Sequence, residues 1–328
     1  MALSSDEIIK REIVDFIGPT INNFFVRVFP EGSNDDQKKF KDGGLTFTYD
    51  QQDYGSCDCA YIKRDGNKEI PVIAIEGTDC LSRGSSGNAQ YQRFHHVLGA
   101  VKNKVMGIYY LRKGTHIIQP DLYEMAFNAS KIYSTPYLIV QDLNVIKTIL
   151  KRFDDKNFID NYIEEYQNKC HQIFISKFNS MYSGSWDSFS KKRSTIIYDD
   201  HIIKYSGRNI KNFTDGSQRA GHIAVGEMFL TKFFFPDKKI LYLWPRMTID
   251  ELVYLDQHKK NDKEWSLLRN EENIFIKTID DIKGLSVDMR NKFLSLKDIP
   301  LKGKSMSQFN ESIKELRKLI INKDVIVS

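Results

Sequence analysis

Apolar residues recur at helical spacing over residues 6–17 (DEIIKREIVDFI), and Asp6 and Glu7 occupy the first turn, where the helix dipole favours acids. Gly18-Pro19 predicts the end of that helix, and the polar run EGSNDDQKK at 31–39 reads as a loop. The periodicity then becomes that of short strands. LTFTYD (45–50) alternates apolar and polar positions, CDCAYI (57–62) predicts a second strand, and RDGNK (64–68) is a turn signal joining it to PVIAIEGT (71–78). The nearly continuous apolar run of this third strand predicts burial on both faces. A Gly/Ser-rich loop, SRGSSG (82–87), leads to a helix over 88–102, and KVMGIYYL (104–111) predicts another buried strand. YLIVQDL (137–143) offers a further strand and NVIKTILKRF a helix after it. The predicted order is helix, three strands in a meander, helix, strand.

Beyond about residue 150 the pattern mixes helical stretches (158–181 and 306–322), strand-like pieces (STIIYDDHIIKY, KKILYLW) and polar loops. No internal repeat is visible. The expected organisation is a core over 1–150 and a second region over 151–328.

Composition narrows the class without fixing the activity. With 328 residues the chain can bury one large core or two ordinary ones, and 41% apolar with 28% charged residues is a globular balance. No apolar run reaches the length needed to span a bilayer. The opening MALSSDEIIKREIVDF reads as an amphipathic helix and not a signal peptide, so the cytoplasm is the default compartment. Four irregularly spaced cysteines do not make a disulfide framework, and Cys57-x-Cys59 lacks both the usual zinc spacing and a second ligand pair. A net charge of +5 is compatible with a polyanionic partner and does not establish one.

The candidate chemistry lies in two segments, Gly55-Ser56-Cys57-Asp58-Cys59-Ala60-Tyr61-Ile62 and Pro71-Val72-Ile73-Ala74-Ile75-Glu76-Gly77-Thr78. One acid begins the first strand of a hairpin and the other ends its apolar partner, which would set the two carboxylates side by side at one edge of the sheet. An ionised acid directly after PVIAI loses hydration if the strand end is buried. A divalent cation would compensate, and hard oxygen ligands suit magnesium, which also bridges to phosphate. Taken singly, Glu76 reads as an exposed strand-end carboxylate and Asp58 as a partner for turn amides; it is the pair that points to a metal.

This arrangement resembles the PD-(D/E)xK nuclease superfamily, which includes most type II restriction endonucleases. The resemblance covers roughly residues 6–111. It implies an α-β-β-β-α-β core, a mixed sheet flanked by helices, with Asp58 as the acid of the second strand and Glu76 as the acid of the third. It also implies the carbonyl of Gly77 as a third protein ligand to magnesium. The family's lysine position holds Thr78, whose hydroxyl carries no positive charge; Arg83, Arg93 or Lys102 would then stand in for it. In the helix that follows, Gln90 and Gln92 are candidates to approach the metal or phosphate, while His95-His96 read as helix-surface histidines. Glu7 and Glu12 are candidates for a further carboxylate, or plain exposed helix acids.

Residues 206–227, SGRNIKNFTDGSQRAGHIAVGE, are dense in groups that read base edges or clamp phosphates: Arg208, Lys211, Asn212, Gln218, Arg219 and His222. An ordinary surface loop has the same composition. SKKRS (190–194) and DQHKKNDKEW (256–265) read as solvated. The resulting expectation is a restriction-endonuclease-like α/β fold with a C-terminal α+β elaboration for DNA recognition and dimerisation. The expected activity is magnesium-dependent, sequence-specific cleavage of duplex DNA by a homodimer. Asp58 and Glu76 would hold the metal, and Thr78 or Gln92 would position water or phosphate. Arg83 and Arg93 join the later residues on the DNA. The alternatives are a structure-specific or repair nuclease and a catalytically inactive DNA-binding protein of the same fold.

Overall fold

A computed structural model of the protein describes residues 5–29, 45–79, 90–91, 93–112, 118–193, 195–198, 200–205, 218–244, 247–260, 262–278 and 281. The first helix forms where its pattern predicts. α1 (Ser5–Ile17) turns Ile9, Ile13 and Ile17 inward at four-residue spacing. Gly18, at φ +110°, ends it and donates its N–H to the carbonyl of Val14 at 2.8 Å.

The next strands differ from expectation. β1 (Thr20–Ile21) and β2 (Phe24–Val28) form a tight hairpin across Asn22 and Asn23, both at positive φ. Asparagine tolerates that conformation, so this pair is the turn signal. The stretch at 45–50 does not enter the main sheet. β3 (Thr46–Tyr49) pairs with β4 (Gln52–Ser56) in a separate two-stranded sheet, and β2 takes the place in the meander expected for it.

β5 (Cys59–Asp65) runs antiparallel to β2 and, across a turn at Gly66, to β6 (Lys68–Asp79). β7 (Met106–Arg112) and β8 (Tyr137–Val140) add in parallel, giving a six-stranded sheet of order β1-β2-β5-β6-β7-β8. Parallel neighbours require crossover connections. α2 (Phe94–Lys102) supplies the first. α3 (Pro120–Tyr133), which the sequence pattern had not shown, supplies the second. α4 (Leu143–Lys151) starts where the carboxylate of Asp142 accepts the N–H of Asn144 at 2.9 Å, and the long α5 (Lys156–Tyr182) follows.

Both faces of the sheet are covered. On one, Ile9 and Ile13 of α1 and Ile146 and Ile149 of α4 pack with Tyr61, Ile73, Ile75, Ile108 and Leu138. On the other, every residue of α2 from Phe94 to Val101 is buried, and the Phe94 ring stacks on Tyr137 with centroids 4.4 Å apart. Each such apolar side chain contributes about 1.5–3 kcal/mol when fully buried. The architecture is thus a mixed α/β sheet between helices. Among the described residues no helix is long and apolar enough to cross a membrane.

The chain divides into two compact units, Met1–Ser176 and Lys177–Ser328, with the boundary inside α5. In the second, α6 (Trp186–Lys192) precedes an antiparallel pair, β9 (Thr195–Tyr198) and β10 (His201–Tyr205). α7 (Gln218–Phe234) leads to β11 (Lys239–Trp244), and α8 (Ile249–His258) and α9 (Lys263–Asn270) lead to β12 (Ile274–Thr278). β10, β11 and β12 lie parallel in the order β12-β11-β10-β9. Hairpin, helix, parallel strand, helix, parallel strand is also the path from β5 to β8, so the two units share connectivity without a repeated sequence.

Residues 206–227 are not one continuous loop. α7 begins at Gln218, and Ala224, Val225 and Met228 are buried. Gly221 and Gly226 are poor helix formers and obscured this element in the sequence. DQHKKNDKEW is likewise not simply solvated: Asp256 accepts from Arg269 and Trp265, and Trp265 is buried. The 306–322 stretch lies outside the described residues.

One close approach is testable. A Cβ on Gly77 would come within 2.3 Å of Ile9 Cγ2, so α1 lies against β6 because residue 77 has no side chain. Gly77→Ala is expected to lower stability by about 1–3 kcal/mol, as overpacking does. Urea denaturation reads this directly, and an unchanged midpoint would mean that α1 does not dock on that strand.

Candidate active site

The site begins where the chain changes sheets. β4 belongs to the small hairpin and β5 to the main sheet, with Cys57 and Asp58 between them. The N–H of Cys57 donates to the carbonyl of Leu45 at 2.9 Å, and the carbonyl of Asp58 accepts from the N–H of Phe29 at 2.7 Å. Both sides of Asp58 are thereby fixed. Pairing of β5 with β6 stops at Cys59↔Ile75, whereas β6 continues beside β7 as far as Asp79↔Arg112. From Glu76 onward the edge of β6 that had faced β5 has no strand paired to it among the described residues. A buried backbone N–H exposed in this way needs a partner, and the N–H of Gly77 donates to Asp58 Oδ2 at 2.8 Å.

Glu76 is only 1% exposed. Its Oε1 accepts from Arg93 Nη1 at 3.2 Å, and His96 Nδ1 lies 3.2 Å from the same oxygen. Arg93 stands at the N-cap of α2 and His96 one turn on, so α2 brings both to Glu76. From the opposite helix layer, Lys10 of α1 sets its Nζ 3.6 Å from Asp58 Oδ1. Lys10 and Asp58 are also nearly buried, at 6% and 7% exposed. Each carboxylate therefore has a cation from a different covering helix. Burial, and next the charge of Glu76, push the Asp58 carboxyl well above the usual aspartate range, against the N–H of Gly77 and the charges of Lys10 and Arg93.

A metal fit turns on donor chemistry. Among the described residues no group of three or more His, Cys, Asp and Glu side chains is placed to hold an ion. That disfavours a zinc-type cage. Burial also holds the Cys57 and Cys59 thiols well above their usual range, away from the thiolate that zinc needs. Magnesium is different: one or two carboxylates suffice, with water and substrate phosphate completing its octahedron. Two buried carboxylates, with the charge of Glu76 raising the proton affinity of Asp58, and a backbone carbonyl at Gly77 fit such an ion.

The structure brings together Asp58, Glu76, Gly77 and Arg93. Thr78, half-buried, follows Glu76 by two residues on β6 and so shares its face of the sheet. It does not gather the other candidates. Lys102 donates to the Tyr54 hydroxyl and lies over the Tyr49 and Tyr133 rings, away from the carboxylates. Gln90 is buried, and its Oε1 accepts from the N–H of Gln119 at 2.8 Å, so it secures the start of α3. Glu12 binds Arg112 at 2.6 Å and the Tyr110 hydroxyl at 2.7 Å. His95 and His96 are buried and not on a helix surface, because α2 is enclosed on every side. Arg83, Gln92, Arg208, Lys211 and Asn212 lie outside the described residues. Gln218, Arg219 and His222 fall within α7, but their side chains are also outside what is described. Sequence reasoning missed Lys10 and His96. A lysine on the same helical stripe as Ile13 and Ile17 was the available sign of the first.

Comparison with protein-family models, with curated proteins and with solved structures gives no match.

The raised Asp58 proton affinity sets a pH dependence in the metal-free protein. A carboxyl whose folded-state pKa exceeds its unfolded value contributes stability below the unfolded value and loses it as pH rises through the folded one. Stability should thus decline as pH climbs above the ordinary aspartate range, relative to Asp58→Asn, in which this group no longer titrates. Melting both proteins in chelator between about pH 4 and pH 8 tests the sign. Parallel curves would show that Asp58 is not held in this environment.

Proposed function

We propose that the chain is a magnesium-dependent endodeoxyribonuclease of the restriction-endonuclease-like class, which hydrolyses phosphodiester bonds of duplex DNA at specific sequences. One observation carries the reading: Asp58 and Glu76 are both buried where the pairing of β5 with β6 ends, close enough for the charge of one to act on the other, in a helix, antiparallel meander, helix, parallel strand arrangement. Asp58, Glu76 and the Gly77 carbonyl would hold the cation, which when bound supplies Lewis-acid stabilisation of phosphate charge and a more acidic water.

The chain's own residues do the rest. The N–H of Gly77 orients the Asp58 carboxylate, and Arg93 and His96 orient Glu76. Thr78 offers a hydroxyl on the Glu76 face to water or phosphate. In the reaction a water oxygen attacks phosphorus, the bond to the leaving sugar oxygen breaks, and that oxygen takes up the proton the water gives up. Recognition would fall to the second unit and to the 206–227 segment. A palindromic target would call for a homodimer, because two-fold protein symmetry matches a two-fold site.

One observation favours a second reading. Thr78 stands where the nucleases that this segment resembles carry a lysine, and such a fold without that charge would suit binding DNA without cutting it. Incubation with plasmid DNA and magnesium separates the two. Discrete fragments support a specific nuclease, a smear a non-specific one, and intact but retarded DNA an inert binder. Intact, unretarded DNA at low salt overturns every nucleic-acid reading.

Two outcomes follow from the favoured reading. Glu76→Gln keeps the shape of the side chain and removes its charge, and it should lower cleavage at least about 100-fold, the upper end of what even outer-shell substitutions cost metal sites. Cutting at the wild-type rate would remove Glu76 from the site. Affinity for duplex DNA, measured in calcium, should also fall steeply as salt is added, through release of condensed counterions. A flat dependence would mean that phosphates are not what the protein grips.

A further inference from the structure

The cation beside Asp58 comes from an unexpected element. Lys10 lies on the inward stripe of α1 with Ile9, Ile13 and Ile17, its Nζ 3.6 Å from Asp58 Oδ1 and 5.6 Å from the centre of the Phe29 ring. Packing alone does not call for an ammonium here. Burying a charge loses hydration and long-chain rotamer freedom, and an apolar side chain of similar length is usually at least as stabilising. α1 also lies close against β6 here, which the absence of a side chain at Gly77 permits, since a Cβ there would meet Ile9 Cγ2 at 2.3 Å. Glu76-Gly77-Thr78 therefore lacks a cation at its third position and has, at its second, the residue that lets α1 deliver one. Among the described residues Arg93 binds the other carboxylate, Glu76, while Lys102 sits among tyrosines and Arg112 binds Glu12, which leaves Lys10 as the basic side chain paired with Asp58.

We propose that Lys10 is the cation on the Asp58 side of this site, supplying toward the scissile phosphate the positive charge that Thr78 cannot. The proposal rests on the nuclease reading above. It gives Lys10 opposite effects on two measurements. Its charge repels a divalent ion from Asp58, yet favours the negative charge that builds on phosphate as water attacks.

The test uses the full chain with Lys10→Met, Lys10→Gln and Lys10→Arg. Manganese binding is followed by calorimetry without DNA, and cleavage with plasmid and magnesium. Lys10→Met, or Lys10→Gln if the methionine variant does not fold, should bind manganese at least about tenfold more tightly, since unit charges about 4 Å apart interact appreciably even when screened. The same variant should cut at least about 100-fold more slowly, comparable to the loss of one preorganised electrostatic contact. Lys10→Arg should keep wild-type manganese affinity and part of the cleavage. A merely structural lysine would, on removal, weaken both properties together, and that result overturns the proposal. Wild-type cleavage by a folded Lys10→Met protein overturns it too, while leaving the metal site standing. If the wild-type chain neither binds manganese nor cuts, the underlying nuclease reading fails, and the role of Lys10 fails with it.

Discussion

Two carboxylates sit almost out of water at the one place where β5 has stopped and β6 has not, and much of the first unit is arranged around their charge. The early end of β5 leaves the N–H of Gly77 without a strand partner, and Asp58 takes that position because the chain is changing sheets there. Glu76, on the neighbouring position, faces the opposite helix layer. Ionised groups so placed need counter-charge or a proton. α1 provides Lys10, α2 provides Arg93 with the His96 ring beside it, and Asp58 still holds its proton more tightly than a free aspartate. Such a pair lowers the stability of the unligated protein, which is the usual relation between a binding site and the fold that carries it.

The second unit shows what the same path looks like without that constraint. β9 to β12 repeat the hairpin, crossover and parallel order of β5 to β8, but β10 carries Lys204 near its end, with its ammonium donating to the carbonyl of Arg193 at 2.5 Å. At that strand end the chain places a lysine and not a carboxylate. The connectivity alone therefore does not generate a carboxylate site, and the chemistry belongs to the residues grafted on it. A single path through two units also accounts for the difficulty of parsing the chain after residue 150: the second unit has shorter strands and a glycine-interrupted crossover helix.

Much of the first unit was legible in the sequence because its signals are local. α1, the β5–β6 hairpin, α2, β7 and β8 follow from periodicity and turn residues, and the two acids stand out by interrupting apolar strands. What failed was pairing, which is not local. LTFTYD alternates like a meander strand yet closes on Gln52–Ser56, while the true partner of β5 is Phe24–Val28, marked only by the Asn22-Asn23 turn before it. His95-His96 look polar in one dimension and are enclosed in three, since nothing in their own sequence reveals that α2 is covered on all sides. Gln90 was read by type, and its amide proved to serve the start of α3.

Lys10 escaped for a related reason, and it bears on how a site of this kind is described. A motif read along one strand treats each position as independent, so Thr78 registers only as a lost lysine. In three dimensions the strand end is shared by β6, by the sheet-switching segment before β5 and by α1. A side chain from any of them can reach Asp58. Gly77 couples these elements: with no Cβ it admits Ile9, and Ile9 carries its neighbour Lys10 toward the carboxylate. Adding a methyl group at residue 77 would move α1 and its ammonium away together, although residue 77 bears no charge. The unit that would hold the proposed function is accordingly a packing contact and an ion pair, Gly77 with Ile9 and Asp58 with Lys10, and neither half can be inferred from the other without the helix that joins them.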